Sequence, residues 1–262
     1  MVNSWQKYTI ICIYAKKTVL LQAKSAKMTI LSIETSTSVC SAALSVNGKT
    51  IASRIHRDGA NHARLLPVYI DELLTELKSR ALVLGAVALS EGPGSYTGLR
   101  IGASTAKGLC YGYSIPLIPI ATTEVLCAAL AAKHPLKEGD YLIPMIDARR
   151  MEVYTALYQI QNGSFVPKTN ITAAIIDSEQ AIPFGDGQNY IFGDGAAKCK
   201  DILSKSADFI DTIVPDAAEM GQLALRYLQN DSTRVSDADI AYYEPFYLKE
   251  FIAAKSHVKG LV

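Results

Sequence analysis

What this sequence lacks removes several kinds of protein at once. It has no CxxC pair, and its five cysteines, Cys12, Cys40, Cys110, Cys127 and Cys199, are an odd number at scattered spacings, mostly inside apolar runs. That pattern excludes a zinc ribbon or a disulfide scaffold and predicts reduced core thiols in a cytoplasmic protein. None of the four histidines, His56, His62, His134 and His257, stands four residues from another, so the helical metal pair is missing and each reads as a surface or capping residue. Charge of one sign is scarce as well: 26 lysines and arginines face 25 acidic residues. A surface devoted wholly to nucleic acid or membrane is therefore excluded, while a local basic patch is not.

What is present is enough chain for a large core. With 262 residues, 49% hydrophobic and 19% charged, it fills one large domain or two smaller ones. The opening 27 residues differ from the rest, with lysines scattered around an apolar run, Tyr8 to Ala15, too short to cross a bilayer and without a small-residue cleavage motif after it. They read as an upstream extension, with the working protein starting at Met28 and no membrane role.

From Met28 the punctuation becomes regular. TILSIETS, VCSAALSV and KTIASRIH read as three antiparallel strands, the last two joined by Asn47-Gly48. A helix follows, with Asn61 available as its cap, Leu66, Ile70, Leu73, Leu74 and Leu77 at helical spacing, and Pro67 tolerated if the helix begins near Leu65 or Leu66. Its apolar surface is wider than one stripe, which suits either an ordinary core helix or one buried on two sides. Strand, helix, strand and helix then alternate to about residue 134, predicting an α/β layer with parallel strands. After residue 135 the pattern restarts: Tyr141 to Ile160 reads as two strands, Asn162-Gly163 as a hairpin, NYIFGDGAAK as strand, glycine turn and helix, and DAAEMGQLALRYLQN as a last helix.

EGPGSYTGLR, residues 91–100, is the densest glycine stretch, and it fits no phosphate or nucleophile motif. Neither Gly92 nor Gly94 has a glycine five places on, as a P-loop needs. Ser95 has Pro93 and Thr97 where a nucleophile elbow has glycines. Gly92, Gly94 and Gly98 space as G-x-G-x-x-x-G, one residue too long for a dinucleotide fingerprint. What remains is a sharp strand-to-helix turn, with Ser95 and Thr97 available as caps and Arg100 the one charged group placed to meet an anion or a carboxylate. Glu34, Asp147, Asp186 and Asp194 sit at strand ends, where carboxylates are common with or without catalysis.

IETSTSVCSAAL at 33–44, EGPGSYTGLRIGASTAKGL at 91–109, IDARRMEVY at 146–154 and the terminal EPFYLKE resemble the TsaB (YeaZ) family, the partner subunit of the bacterial machinery that makes threonylcarbamoyladenosine in tRNA. The resemblance runs from Met28 to about Lys249. It implies an actin-like, Hsp70-like ATPase (ASKHA) fold of two ribonuclease H-like lobes, 28–134 and 135–262. It implies that Glu34, Thr35 and Ser36, with Gly193, Asp194 and Gly195, are remnants of two nucleotide loops. The catalytic paralogue, TsaD, holds metal with an HxxxH pair on the first helix; here His62 has Leu66 four places on. No metal site or catalytic residue is therefore expected. The resemblance further implies that the first helix and the helix after the glycine turn bundle with TsaD or with a second copy of the chain. Leu66, Ile70, Leu73, Leu74, Leu77, Arg100, Gly102, Ala103 and Ala106 are the candidate contacts. TsaE, the ATPase subunit, and tRNA are expected partners through the complex, with ATP or ADP a candidate at its interface and no cofactor assigned to this chain. Arg149, Arg150, Lys249, Lys255 and Lys259 could form a basic surface toward tRNA or be plain solvated charges. Two other readings stay open, a nucleotide-binding homodimer and a metallopeptidase-like enzyme of the wider family.

Overall fold

The computed structural model describes residues 27–57, 59, 61–230 and 240–249. The segment before Lys27, and the tail beyond residue 249 with Lys255, His257 and Lys259, lie outside the described residues.

The first sheet starts with three antiparallel strands, β1 (Thr29–Glu34), β2 (Cys40–Val46) and β3 (Lys49–His56), as the sequence predicts. Asn47 and Gly48 turn the second pair with φ of 50° and 79°, the left-handed pair that a two-residue hairpin demands. Helix α1 (His62–Ser79) leads to β4 (Leu84–Gly92), and α2 (Tyr96–Tyr113) leads to β5 (Leu117–Ala121). Both strands run parallel to β1, giving the order β3-β2-β1-β4-β5. Every residue of β1 is buried, because helices cover both faces of the sheet. On one side Leu31 and Ile33 meet Leu66, Leu73 and Ala106 of α1 and α2. On the other, Ile30 meets Val125 of α3 (Thr122–Ala131).

The second sheet has the order β10-β7-β6-β11-β12, with β8 and β9 appended to β6. Tyr141 to Ile160 forms three strands rather than two, β6 (Tyr141–Asp147), β7 (Glu152–Thr155) and β8 (Tyr158–Gln161). The chain breaks at Ala156-Leu157 because β7 pairs with the end of β6 and β8 with its start. Asn162-Gly163 then turns β8 into β9 (Ser164–Pro167), and β10 (Thr172–Ile175) adds an edge. The strands β11 (Asn189–Phe192) and β12 (Asp208–Ile210) run parallel to β6, with the short helix α4 (Lys200–Leu203) between them.

The last helix, α5 (Met220–Asn230), does not stay with this lobe. Met220, Leu223, Ala224 and Leu228 pack on Ile30, Ala86 and Ile118 of the first sheet. Residues 217–230 therefore complete the first lobe, a departure from a division at residue 135. In the other direction Leu126, Cys127 and Leu130 of α3 share a core with Leu142 and Phe192 of the second sheet.

Local chemistry departs from expectation at α1. The helix starts at His62, so Pro67 lies inside it and the carbonyl of Ala63 loses its usual donor. Asn61 stands at the cap position, but its φ of −116° and ψ of 22° are not extended and its side chain makes no capping bond. Cys40, Cys110, Cys127 and Cys199 are buried free thiols, as expected of core residues. No helix among the described residues is long and apolar enough to cross a membrane.

Candidate binding cleft between the lobes

Three glycines one helical turn apart determine the floor of the site. A Cβ on Gly94 would stand 2.2 Å from the carbonyl oxygen of Ser36, one on Gly98 2.0 Å from that of Thr35, and one on Gly102 2.4 Å from Thr35 Oγ1. The small face of α2 is thus pressed against the loop after β1. Hydrogen bonds stitch the two together: Thr35 Oγ1 donates to Gly98 O at 2.8 Å, and Ser95 N donates to Ser36 O at 2.6 Å. Ser95 also caps the helix, accepting from Gly98 N at 3.3 Å, whereas Thr97 is exposed and makes no cap. Gly92, at φ 116°, takes a conformation that other residues rarely adopt, and the carbonyl of Phe246 fills its Cβ position at 2.6 Å.

This placement corrects the role given to the small residues. Gly102, Ala103 and Ala106 dock on the chain's own loop and sheet, and Leu66, Ile70, Leu73 and Leu77 lie in the same core, at most 5% exposed. Of the residues proposed to meet a partner, only Arg100 is exposed and only Leu74 is half-buried. Arg100 folds back on Tyr96, donating to its hydroxyl at 2.9 Å. The open side of α1 carries Val68, 50% exposed, flanked by Leu65 and Tyr69, which are half-buried and also pack on the core. The sequence could not separate the two sides because both are apolar.

The loop after β1 is folded on itself. Glu34 is fully buried, and its Oε1 accepts both the backbone N of Ser36 at 2.5 Å and the Ser36 hydroxyl at 2.6 Å, while Oε2 has no hydrogen-bond partner. Burial pushes the Glu34 carboxyl up to about 7 against the lowering effect of Ser36 and Ser90, and nearby Asp216 adds to the rise. The Thr35 hydroxyl is thus tied to Gly98, and the Ser36 hydroxyl and amide to Glu34, while Thr37 and Ser38 line the cleft.

Between the lobes opens a cleft of about 950 Å³. The first lobe contributes Ser36, Thr37, Ser38, His62 and Arg64, the glycine turn contributes residues 93–99, and the second lobe contributes Asp147, Arg149, Tyr154 and Asp194. The fold thus brings Ser36 of the loop after β1 and Asp194 of the glycine turn after β11 to one cavity. Asp194 Oδ1 accepts the backbone N of Asp147 at 3.1 Å, and burial raises its carboxyl. Asp186 is elsewhere, accepting from Tyr141 OH at 2.7 Å. His62 is neither surface nor cap: it is buried and its Nε2 donates to Val39 O at 3.0 Å. The position four residues on, Leu66, is fully buried in the core, and among the described residues no group of three or more histidine, cysteine or acidic side chains converges to hold a metal.

Two contributors gave no usable signal in the sequence. Lys198 bridges Asp147 Oδ1 and the Glu152 carbonyl, drawing β6 and β7 together beside the cleft. The tail returns across the first lobe: Lys107 Nζ donates to Tyr243 O at 3.0 Å, Phe246 N donates to Glu91 O at 2.8 Å, and Tyr247 packs against Tyr96 with ring centres 5.2 Å apart and the rings tilted by 40°. Lys249 then pairs with Glu152 of the second lobe. EPFYLKE is legible as a motif, but nothing in it says that it spans the cleft mouth.

Residues 51–256 match the family model described as TsaD, tRNA N6-adenosine threonylcarbamoyltransferase. The chain is also 32% identical over 241 residues to the tRNA threonylcarbamoyladenosine biosynthesis protein TsaB of Haemophilus influenzae, covering 87% of this chain and 96% of that protein. The chain belongs to the TsaB family. The TsaB of Escherichia coli is 29% identical over 236 residues, covering 87% of this chain and 97% of its own. Among solved structures, YeaZ from Pseudomonas aeruginosa superposes with a TM-score of 0.71 at 23% identity, covering 84% of this chain and all of that one, which shows the fold. The two lobes are accordingly those of the ASKHA architecture, as the sequence resemblance implies.

Proposed function

We propose that this TsaB-family chain is a non-catalytic subunit for N6-threonylcarbamoylation of adenosine 37 in tRNAs that read ANN codons. It binds and activates the catalytic paralogue, TsaD, which carries out the transfer. The observation that carries the reading is the loop after β1: its one carboxylate is fully buried and occupied by Ser36, and its backbone is clamped to α2 by Gly94 and Gly98. A catalytic nucleotide loop needs those groups free to meet phosphate and metal. The names of the relatives and of the matching family supply the pathway.

The partner meets the open side of α1 at Val68, which is half exposed between the partly buried Leu65 and Tyr69. Replacing Val68 with aspartate is expected to leave stability within about 0.5 kcal/mol, since the residue is half exposed. Affinity for the paralogue falls by roughly tenfold or more, as for other charges placed in an apolar contact. Calorimetric titration with TsaD checks this, and undiminished binding would move the interface elsewhere.

The role itself is tested by nucleoside mass spectrometry of unmodified tRNA incubated with TsaD, TsaE and threonylcarbamoyl-adenylate, with and without this chain. Modified adenosine appears only when the chain is added, and never from the chain without TsaD. Equal yields in both reactions would overturn the reading.

A further inference from the structure

Among the described residues three hairpin turns place two successive residues at positive φ, and they do not use the same residues. Asn47-Gly48 has φ of 50° and 79°, and Asn162-Gly163 has 51° and 69°. These are the residue types that the left-handed region accepts at least cost. The third turn, between β6 and β7, is built from Arg149 and Arg150, at 69° and 50°. Arginine has a full Cβ and no short polar group to bond its own backbone, so nothing local recommends it there. Strain of this kind persists only where the surroundings hold it, and it clusters at working sites.

The surroundings do hold it. Asp147 Oδ1 accepts the backbone N of Arg149 at 3.1 Å, and Lys198 fixes that carboxylate while also donating to the Glu152 carbonyl at 2.7 Å. Lys249 takes the Glu152 carboxylate. The acids at the base of the turn are thus matched by lysines. Among the described residues neither arginine side chain has a hydrogen bond or an ion pair, and both residues are exposed. Arg149 lines the cleft together with Arg64 of the first lobe and the aromatic residues Tyr154, Tyr96 and Tyr247.

We infer that the Arg149–Arg150 tip grips RNA, each guanidinium meeting a backbone phosphate while the aromatic residues of the cleft accept an unstacked base. The inference rests on the proposed work of the chain on tRNA and adds the element that touches it. Guanidinium suits this partner because its planar fork matches phosphate oxygens two at a time, and single-stranded RNA offers bases to aromatic rings. The near-neutral chain as a whole has no such pull, so a local pair of free arginines has to supply it.

The test is a titration of fluorescent unmodified tRNA, from 50 to 300 mM salt, with the full chain alone and with the full chain assembled with TsaD. Each phosphate neutralised contributes about 0.7–0.9 to the slope of log affinity against log salt, so the doubly substituted Arg149→Gly/Arg150→Gly chain is expected to lose about 1.5 of that slope. Its affinity at 100 mM salt falls on the order of tenfold. Its melting temperature does not fall, because glycine takes positive φ without strain. Arg149→Lys/Arg150→Lys keeps most of the slope and loses part of the affinity. Unchanged slope and affinity in the glycine variant would overturn the inference. So would a loss of tRNA binding that follows only from failed assembly with TsaD, seen by sedimentation, which would make the tip a protein contact. Because RNA binding is read directly, its failure is distinct from a failure of the chain to support adenosine modification.

Discussion

Replacing Gly98 with alanine is expected to destabilise the chain by about 3 kcal/mol or more, a large part of the roughly 5–15 kcal/mol that holds a domain folded. The new methyl carbon would stand 2.0 Å from the carbonyl oxygen of Thr35, a contact that one side has to give up. Neither side is free to move. Thr35 Oγ1 bonds to Gly98 O, Ser36 O bonds to Ser95 N, and the same loop continues directly from the buried central strand β1. Gly108 lies further along the same helix, and a Cβ there meets nothing within 4 Å. Gly108→Ala should therefore stabilise by about 0.5–1 kcal/mol, the ordinary gain from removing a glycine in a helix. Urea unfolding of the two variants separates them. Similar behaviour would mean that the glycines are there for helix flexibility and not for close approach.

Glu34→Gln is expected to stabilise the chain in a manner that depends on pH. The carboxyl sits near 4.5 when unfolded and is raised to about 7 when folded, chiefly by burial. Between those values the folded state keeps a proton that the unfolded state has released, so stability falls as pH rises from about 4.5 and levels off above about 7. A difference of that size amounts to about 3 kcal/mol at pH 8. Glutamine presents the same acceptor oxygen to Ser36 and carries no charge, so the variant lacks this slope. The two proteins should unfold at similar urea concentrations at pH 4.5 and diverge up to about pH 7, the gap then nearly constant to pH 8. A constant gap across that range would show that the buried carboxylate is not what titrates.

The order of elements could be followed in the sequence wherever one physical signal dominated. Asn47-Gly48 and Asn162-Gly163 marked hairpins because few residues accept two left-handed positions in a row, and both turns form. The parallel strands β4 and β5 could be read from apolar runs alternating with helices. The edge strands β10 and β12 gave no such signal: they are only four and three residues long, too short to show an alternating pattern, and a partner strand from elsewhere in the chain supplies their hydrogen bonds. Helix α1 starts directly after Asn61, as the cap reading implies, and not near Leu65 where Pro67 would cost least; the burial of His62 and Leu66 accompanies the bond that Pro67 gives up.

For the cleft, the sequence by itself singled out residue types in a pattern: the glycines at 94, 98 and 102, the carboxylates at the strand ends, the arginine pair, and Leu66 four places after His62. Only the tertiary structure decided what those residues face. The glycines meet the chain's own loop and not another molecule, Glu34 turns inward, and the tail crosses to Glu152. Composition and spacing are properties of a line. A contact such as that between Gly98 and Thr35, 63 positions apart, exists only once two sheets and their helices have fixed the distance between them.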